Sequence, residues 1–380
     1  MNQAAQPQFL RGMAEINAAT WNELAGDYPF MRHEFLAALE STGCVTRATG
    51  WNPHHLLLGD PGRPRVLAPL YEKAHSWGEF VFDFAWARAW ESRGLKYYPK
   101  LLLAIPFTPA SGPRLLCRAS GAEAEQQRLE ALAAIAADAA ARHRSSAHAL
   151  FIDEPLRAAA EAAGWLLRRD CHFQWCNRGY RDFEDFLATF SADKRKKVRR
   201  ERRRIAEQGI QFRTCTGGQL DAAAIARVHE LHAATFLRHG HPPYLNAAFF
   251  QRVAAALDES FIAVMALRED ECVATAVYLR SRDTLYGRYW GADGDYHSLH
   301  FEACYYQGID YCIRNGLARF EPGTQGEHKL ARGFEPAFTW SAHWLADRAL
   351  RAAVARYLER EAEAVTEYAD AAARHTPFRA

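Results

Sequence analysis

Ser191-Ala-Asp-Lys-Arg-Lys-Lys-Val-Arg-Arg-Glu-Arg-Arg-Arg-Ile-Ala-Glu-Gln-Gly209 places nine basic side chains in the eleven positions from Lys194 to Arg204. Ser191 suits a helix N-cap, Asp193 complements the positive end of the helix dipole, and Gly209 suits a C-terminal stop. Val198, Ile205 and Ala206 form a narrow apolar stripe, so one edge of the helix is expected to pack. Like charges three and four residues apart each cost a few tenths of a kcal/mol, so tertiary contacts or an anionic ligand must offset the repulsion. Because the whole chain carries a formal net charge of only +2, the positive charge is concentrated here.

With 380 residues, 49% of them apolar and 24% charged, the chain suits two ordinary soluble domains and excludes a disordered one. No stretch reaches the roughly 20 apolar residues of a membrane span. Met1 to Arg11 lacks the charged head and apolar run of a secretory signal. The eight cysteines include no C-x-x-C pair, which argues against a metal site and a disulfide framework. A reduced, cytoplasmic protein is expected.

Outward from the basic helix, the pattern repeats itself. Before it, His55–Leu58 and Arg65–Tyr71 flank the turn Asp60-Pro61-Gly62 as a strand pair, Leu101–Phe107 reads as a buried strand, and 122–143 is a helix. After it come a strand from Ile210, helices 220–238 and 246–257, strands 261–267, 272–281 and 284–291, a helix 301–315, and strands at 319–321 and 339–345. The order predicts an α/β (α+β) fold of two units, each a mixed, largely antiparallel sheet flanked by helices. The expected division is 1–175, 176–345 with the basic helix at 191–208, and a C-terminal helix over 346–380.

The 191–210 segment resembles the Fem-type peptidyl and aminoacyl transferases, and more closely the FemAB-like predicted N-acyltransferases. The resemblance extends to His75-Ser-Trp-Gly-Glu-Phe-Val-Phe-Asp-Phe-Ala-Trp86, Tyr97-Tyr-Pro-Lys100, Pro106-Phe-Thr-Pro-Ala-Ser-Gly112 and Phe320-Glu-Pro-Gly-Thr-Gln-Gly-Glu-His-Lys-Leu-Ala-Arg-Gly-Phe334. It implies two GNAT-like domains and transfer of an acyl or aminoacyl group to an amine in a small molecule or peptide. The co-substrate would be aminoacyl-tRNA or acyl-CoA, with no tightly bound cofactor and no metal.

Three constellations are candidates for that chemistry. The basic helix is a solvated charged face, a nucleic-acid surface, or a grip for the phosphates of the acyl donor; on the last reading Lys194, Arg195, Lys197, Arg199, Arg202 and Arg288 hold the donor. The segment Ala292–His300, where a CoA-using GNAT domain keeps a glycine-rich pyrophosphate loop, holds two acids and one glycine, which disfavours CoA.

In the loop after the 319–321 strand, Glu327 or His328 is the candidate base and Lys329 or Arg332 the candidate oxyanion stabiliser. Glu321, Gln325 and Arg332, with Tyr305 of the preceding helix, join it as substrate-binding candidates. Glu79 and Asp83, set among aromatics, must be paired or face a polar cleft, where they would bind an acceptor's amino group; His75 and Lys100 are further candidates nearby. His239 and His241 lack a third ligand, and no G-x-S-x-G, P-loop or dinucleotide fingerprint occurs. The competing class is a non-catalytic GNAT scaffold that recognises RNA or an acidic partner through the basic helix.

Overall fold

The computed structural model describes residues 6–324 and 326–379 and divides into two compact units. The first comprises 1–170 and 338–366, the second 171–337 and 367–380. The long helix Arg348–Ala373 therefore supplies residues to both. The second unit is a mixed, largely antiparallel sheet flanked by helices, as the element order predicts, whereas the first distributes its strands over two sheets.

The first unit contains β1 (Gln8–Leu10), β2 (Trp51–Pro53), β3 (His55–Asp60), β4 (Arg63–Ala68), β5 (Leu70–Lys73), β6 (Lys100–Leu103), β7 (Leu116–Cys117) and β8 (Ser146–Leu150). Strands β1, β3, β4 and β7 form one antiparallel sheet, while β2, β5, β6 and β8 form another in which only β6 and β8 run parallel. The apolar run 65–71, expected as one strand, is split at Pro69 into β4 and β5, which belong to different sheets. Proline has no N–H to continue the ladder. The helix Gly121–Ala141 lays Leu132, Ile135 and Ala139 over Leu56, Leu101 and Ala147, closing the core.

The second unit contains most of β9 (Leu166–Cys176), followed by β10 (Ile210–Thr216), β11 (Phe261–Arg268), β12 (Glu271–Arg280), β13 (Thr284–Ala292), β14 (Arg319–Glu321) and the start of β15 (Glu335–Leu345). Its sheet order is β10-β11-β12-β13-β14-β9, antiparallel throughout except for β13 beside β14. The parallel pair is joined by the helical segment Leu299–Arg314, as a parallel connection requires. That segment contains a π-helical turn, Glu302–Tyr306, of the kind that often marks a functional site.

Pairing between β13 and β14 covers only Thr284–Tyr286 against Arg319–Glu321. Strand β13 then runs on to Ala292, past the last residue it pairs with on β14, while Pro322 still packs beside Gly287. On the same strand, a Cβ added at Gly291 would lie 2.0 Å from the Leu231 carbonyl oxygen. Helix Ala222–Arg238 sits directly on this glycine. Gly291→Ala is therefore expected to destabilise the protein by about 3 kcal/mol, because backbone rather than a movable side chain must yield. Urea unfolding monitored by far-UV circular dichroism measures it.

Among the described residues no helix is long and apolar enough to cross a membrane, and all eight cysteines are free.

Candidate active site

The basic helix forms over Ala192–Glu207, stopped by Gly209 at φ +72°. Ser191 occupies the N-cap position, but its hydroxyl makes no capping bond. The packing stripe differs from expectation: Val198, Glu201 and Ile205 are buried, while Ala206 is exposed. Glu201 is buried because it meets a cation. Its carboxylate accepts two hydrogen bonds from the Arg332 guanidinium, at 2.9 and 3.1 Å, and one from the Tyr306 hydroxyl.

Around this pair the second unit assembles a polar centre from three segments. Arg332 also donates to the His328 carbonyl at 2.7 Å, and its guanidinium lies 3.4 Å from the centre of the Phe301 ring. Lys329 is buried and donates to the carbonyls of Gly323 and Thr324. These bonds tie the segment after β14 into a loop that presents His328. The hydroxyl of Tyr305 lies 2.9 Å from His328 Nε2. Gly326 permits the approach: it has φ +124°, and a Cβ there would fall 2.3 Å from His328 Cε1. His300, Phe301 and Tyr305 ring the imidazole, and Trp290 of β13 packs on His300.

Burial, reinforced by Lys329 and Arg332, lowers the pKa of His328. The same causes, with His328 itself, push His300 down to about 4. Both imidazoles are therefore neutral at pH 7, and His328 can accept a proton. Burial brings Lys329 down to about 8, leaving it largely cationic at neutral pH. The nearby Cys304 thiol is held well above its usual range by burial, which disfavours it as a nucleophile. Among the described residues no three potential ligands gather to hold a metal ion.

The structure thus brings Tyr305, His328, Lys329 and Arg332 together. Arg332 is an internal brace: its guanidinium is occupied by Glu201 and the loop backbone. Glu327 lies on the outer side of the loop, accepting a hydrogen bond from Tyr368 at 3.1 Å. Glu321 ends β14, and Gln325 lies outside the described residues.

The donor-binding candidates separate in the same way. Arg202 turns inward, with Nε 3.1 Å from Glu302 and the guanidinium over the Phe183 ring. Arg199 pairs with Glu184, Arg195 donates to the Phe190 carbonyl, and Arg288 lies against the Tyr289 ring. Lys194 and Lys197 are exposed and unpaired among the described residues. The outward face is better defined by Lys196, Lys197, Arg200, Arg203 and Arg204, which helical spacing sets opposite Val198 and Ile205.

Sequence reasoning missed Glu201, Glu302 and His300. A signal for Glu201 was present: it stands three residues after Val198 and four before Ile205, on the apolar stripe.

Glu79 and Asp83 lie in the first unit, around Lys100. The Lys100 ammonium donates to Glu79 at 2.8 Å, to Asp83 at 2.5 Å and to Ser76 at 2.8 Å, and all four groups are buried. Tyr97 donates to Asp83 at 2.6 Å and approaches His148. His148 meets His343 at 2.7 Å between their Nδ1 atoms. Burial pushes the Asp83 carboxyl up, but Lys100 and its hydrogen bonds outweigh this and hold it far below the usual range.

The sequence model of the FemAB-like family, described as peptidoglycan biosynthesis or recognition, matches residues 12–380. The chain belongs to this family. Its fold is shared at low identity with two solved structures. One is the C-terminal DUF2156 domain of an Agrobacterium fabrum protein assigned as a lysylphosphatidylglycerol synthetase, with 11% identity over 92% of this chain and 97% of that one and a TM-score of 0.51. The other is L-PGS from Bacillus licheniformis, with 11% identity over 86% and 96% and a TM-score of 0.52. A tandem GNAT protein from the clavulanic acid biosynthesis pathway is also similar, with 12% identity over 90% and 98% and a TM-score of 0.45. No curated protein matches the sequence.

Proposed function

We propose that the protein is an acyltransferase of the aminoacyl-transferring kind, moving an acyl or aminoacyl group from aminoacyl-tRNA to an amine, with acyl-CoA as the competing donor. The observation that carries this reading is the neutral, exposed His328, held by the Tyr305 hydroxyl and presented beside the cationic Lys329. On this reading the amine nitrogen attacks the donor carbonyl and a C–N bond forms. His328 takes the amine proton and passes it to the leaving oxygen or sulfur as the C–O bond to the tRNA (or C–S bond to CoA) breaks, which returns the imidazole to its neutral form. Lys329 stabilises the oxyanion electrostatically while holding the loop, and Tyr305 orients the imidazole. Glu201 and Arg332 are positioning residues.

Two features favour tRNA as donor. Lys196, Lys197 and Arg200 are exposed and make no ion pair among the described residues, so their charge is free for phosphates. The β13-to-helix connection, by contrast, has a single glycine and carries Asp295, with Asp293 spending its charge on Arg227, so it offers no glycine-rich cradle for a pyrophosphate. Replacing Lys196, Lys197 and Arg200 together by alanine is expected to weaken tRNA binding and to flatten its log–log salt dependence by about 2 to 3. Titration of fluorescent tRNA across a salt series measures both, with acetyl-CoA as the comparison ligand. Binding of acetyl-CoA with no affinity for tRNA would select the other donor. Tight tRNA binding with no transfer to any amine would select the non-catalytic scaffold.

A further inference from the structure

The Lys100 centre of the first unit is incomplete as an ion cluster. Two carboxylates, Glu79 and Asp83, share one ammonium, and each uses a single oxygen on it. The second oxygens, Glu79 Oε1 and Asp83 Oδ1, are buried without a hydrogen-bond partner among the described residues. Buried carboxylate oxygens rarely go unbonded, since the lost hydration is otherwise not replaced.

The other neighbouring cation, Lys73, does not close the gap. Its ammonium lies 3.8 Å over the Trp51 ring and donates to the Trp77 carbonyl. The segment that carries both acids is also strained: Phe80 has φ +61°, a conformation an aromatic residue seldom adopts. The same segment turns Trp77 and Phe82 outward, 58% and 54% exposed, around Phe84. Tyr98, half-buried, bonds to Ser76 and so links this surface to Lys100.

We propose that this loop is a binding site for a primary ammonium group, which completes the cluster on Glu79 Oε1 and Asp83 Oδ1 while the exposed aromatics flank the rest of the ligand. The ligand supplies the second positive charge that two carboxylates require, and its N–H groups fill the vacant acceptors. Binding is independent of the transfer reaction proposed above and can be read without turnover.

Charge balance explains the titration of the site. Burial raises Glu79 to about 7, with Lys100 and Lys73 opposing and Asp83 reinforcing the rise. A raised carboxyl pKa gives stability that is full below the unfolded value and lost as pH rises toward 7. An ammonium ligand should therefore act most strongly at pH 8, where Glu79 is ionised.

Thermal unfolding of the full chain at pH 8 tests this, with benzylammonium chloride as probe, benzyl alcohol as its uncharged counterpart, and ionic strength matched with NaCl. Wild-type Tm is expected to rise with benzylammonium concentration and not with benzyl alcohol. Glu79→Gln, which removes the uncompensated charge at constant shape, is expected to be at least as stable as wild type and to lose the response. Asp83→Asn is expected to be less stable than wild type. The inference is overturned if wild type shows no ammonium-specific rise, if Glu79→Gln responds like wild type, or if Glu79→Gln is destabilised or fails to fold.

Discussion

Lys100→Met is expected to destabilise the protein by about 3 to 5 kcal/mol, the usual cost of removing one partner from a buried ion pair. The side chains of Lys100, Glu79 and Asp83 are all less than 5% exposed, so water cannot take over the lost contacts. The methionine fills much of the lysine's volume, so the loss reports charge and hydrogen bonding more than a cavity. The variant also has a pH signature. Because Asp83 is held below its ordinary value, it contributes stability that is present above the unfolded carboxyl pKa of about 4 and is lost progressively as pH falls from there toward the depressed folded value. Lys100→Met should lose that acid-sensitive component. Guanidinium unfolding at pH 7 and at pH 2 measures the total and the component together.

Arg332→Ala is expected to cost a similar 3 to 5 kcal/mol, through a different site. Its guanidinium makes two bonds to Glu201 and one to the His328 carbonyl, and both members of the ion pair are less than 10% exposed. Truncation leaves Glu201 with the Tyr306 hydroxyl as its remaining hydrogen-bond donor among the described residues and frees the backbone that presents His328. Arg332→Lys should not restore stability, because a single ammonium cannot reach Glu201 and the His328 carbonyl together as Nη2 and Nη1 of the planar guanidinium do. Urea unfolding of both variants measures this. Acyl transfer should fall further than the unfolded fraction explains, since the loop loses its brace.

These two sites show how far the sequence is readable. Periodicity, caps and turn residues place the elements of the second unit within a few residues, because each is a local signal. The basic helix from Ala192 to Glu207 and the strands β11 to β13 are examples. The loop 320–334 is legible as a site because breakers follow a strand and ionisable groups cluster there.

Pairings across the chain are not local. Arg202 reads as a phosphate ligand until it meets Glu302, 100 residues away. Glu201 looks like one acid relieving a basic run until Arg332, 131 residues on, claims it. For Glu79 and Asp83, the cost of burying charge requires partners, and Lys100 is legible as a nearby candidate, but its place as their shared partner is fixed by the pairing of β6 with β5 and β8. Pro69 shows the converse: a proline inside an apolar run is a local signal that would have divided the strand.

The central claim is that His328 removes the proton when an amine attacks an aminoacyl-tRNA. The most direct measurement is the rate at which radiolabelled aminoacyl-tRNA loses its label to an added amine, with wild type and His328→Ala compared at equal folded concentration. Acceptor-dependent transfer by wild type, reduced about 10²- to 10⁴-fold in the variant, is the predicted result. Equal rates in the two proteins, or no transfer by wild type to any amine, would contradict it.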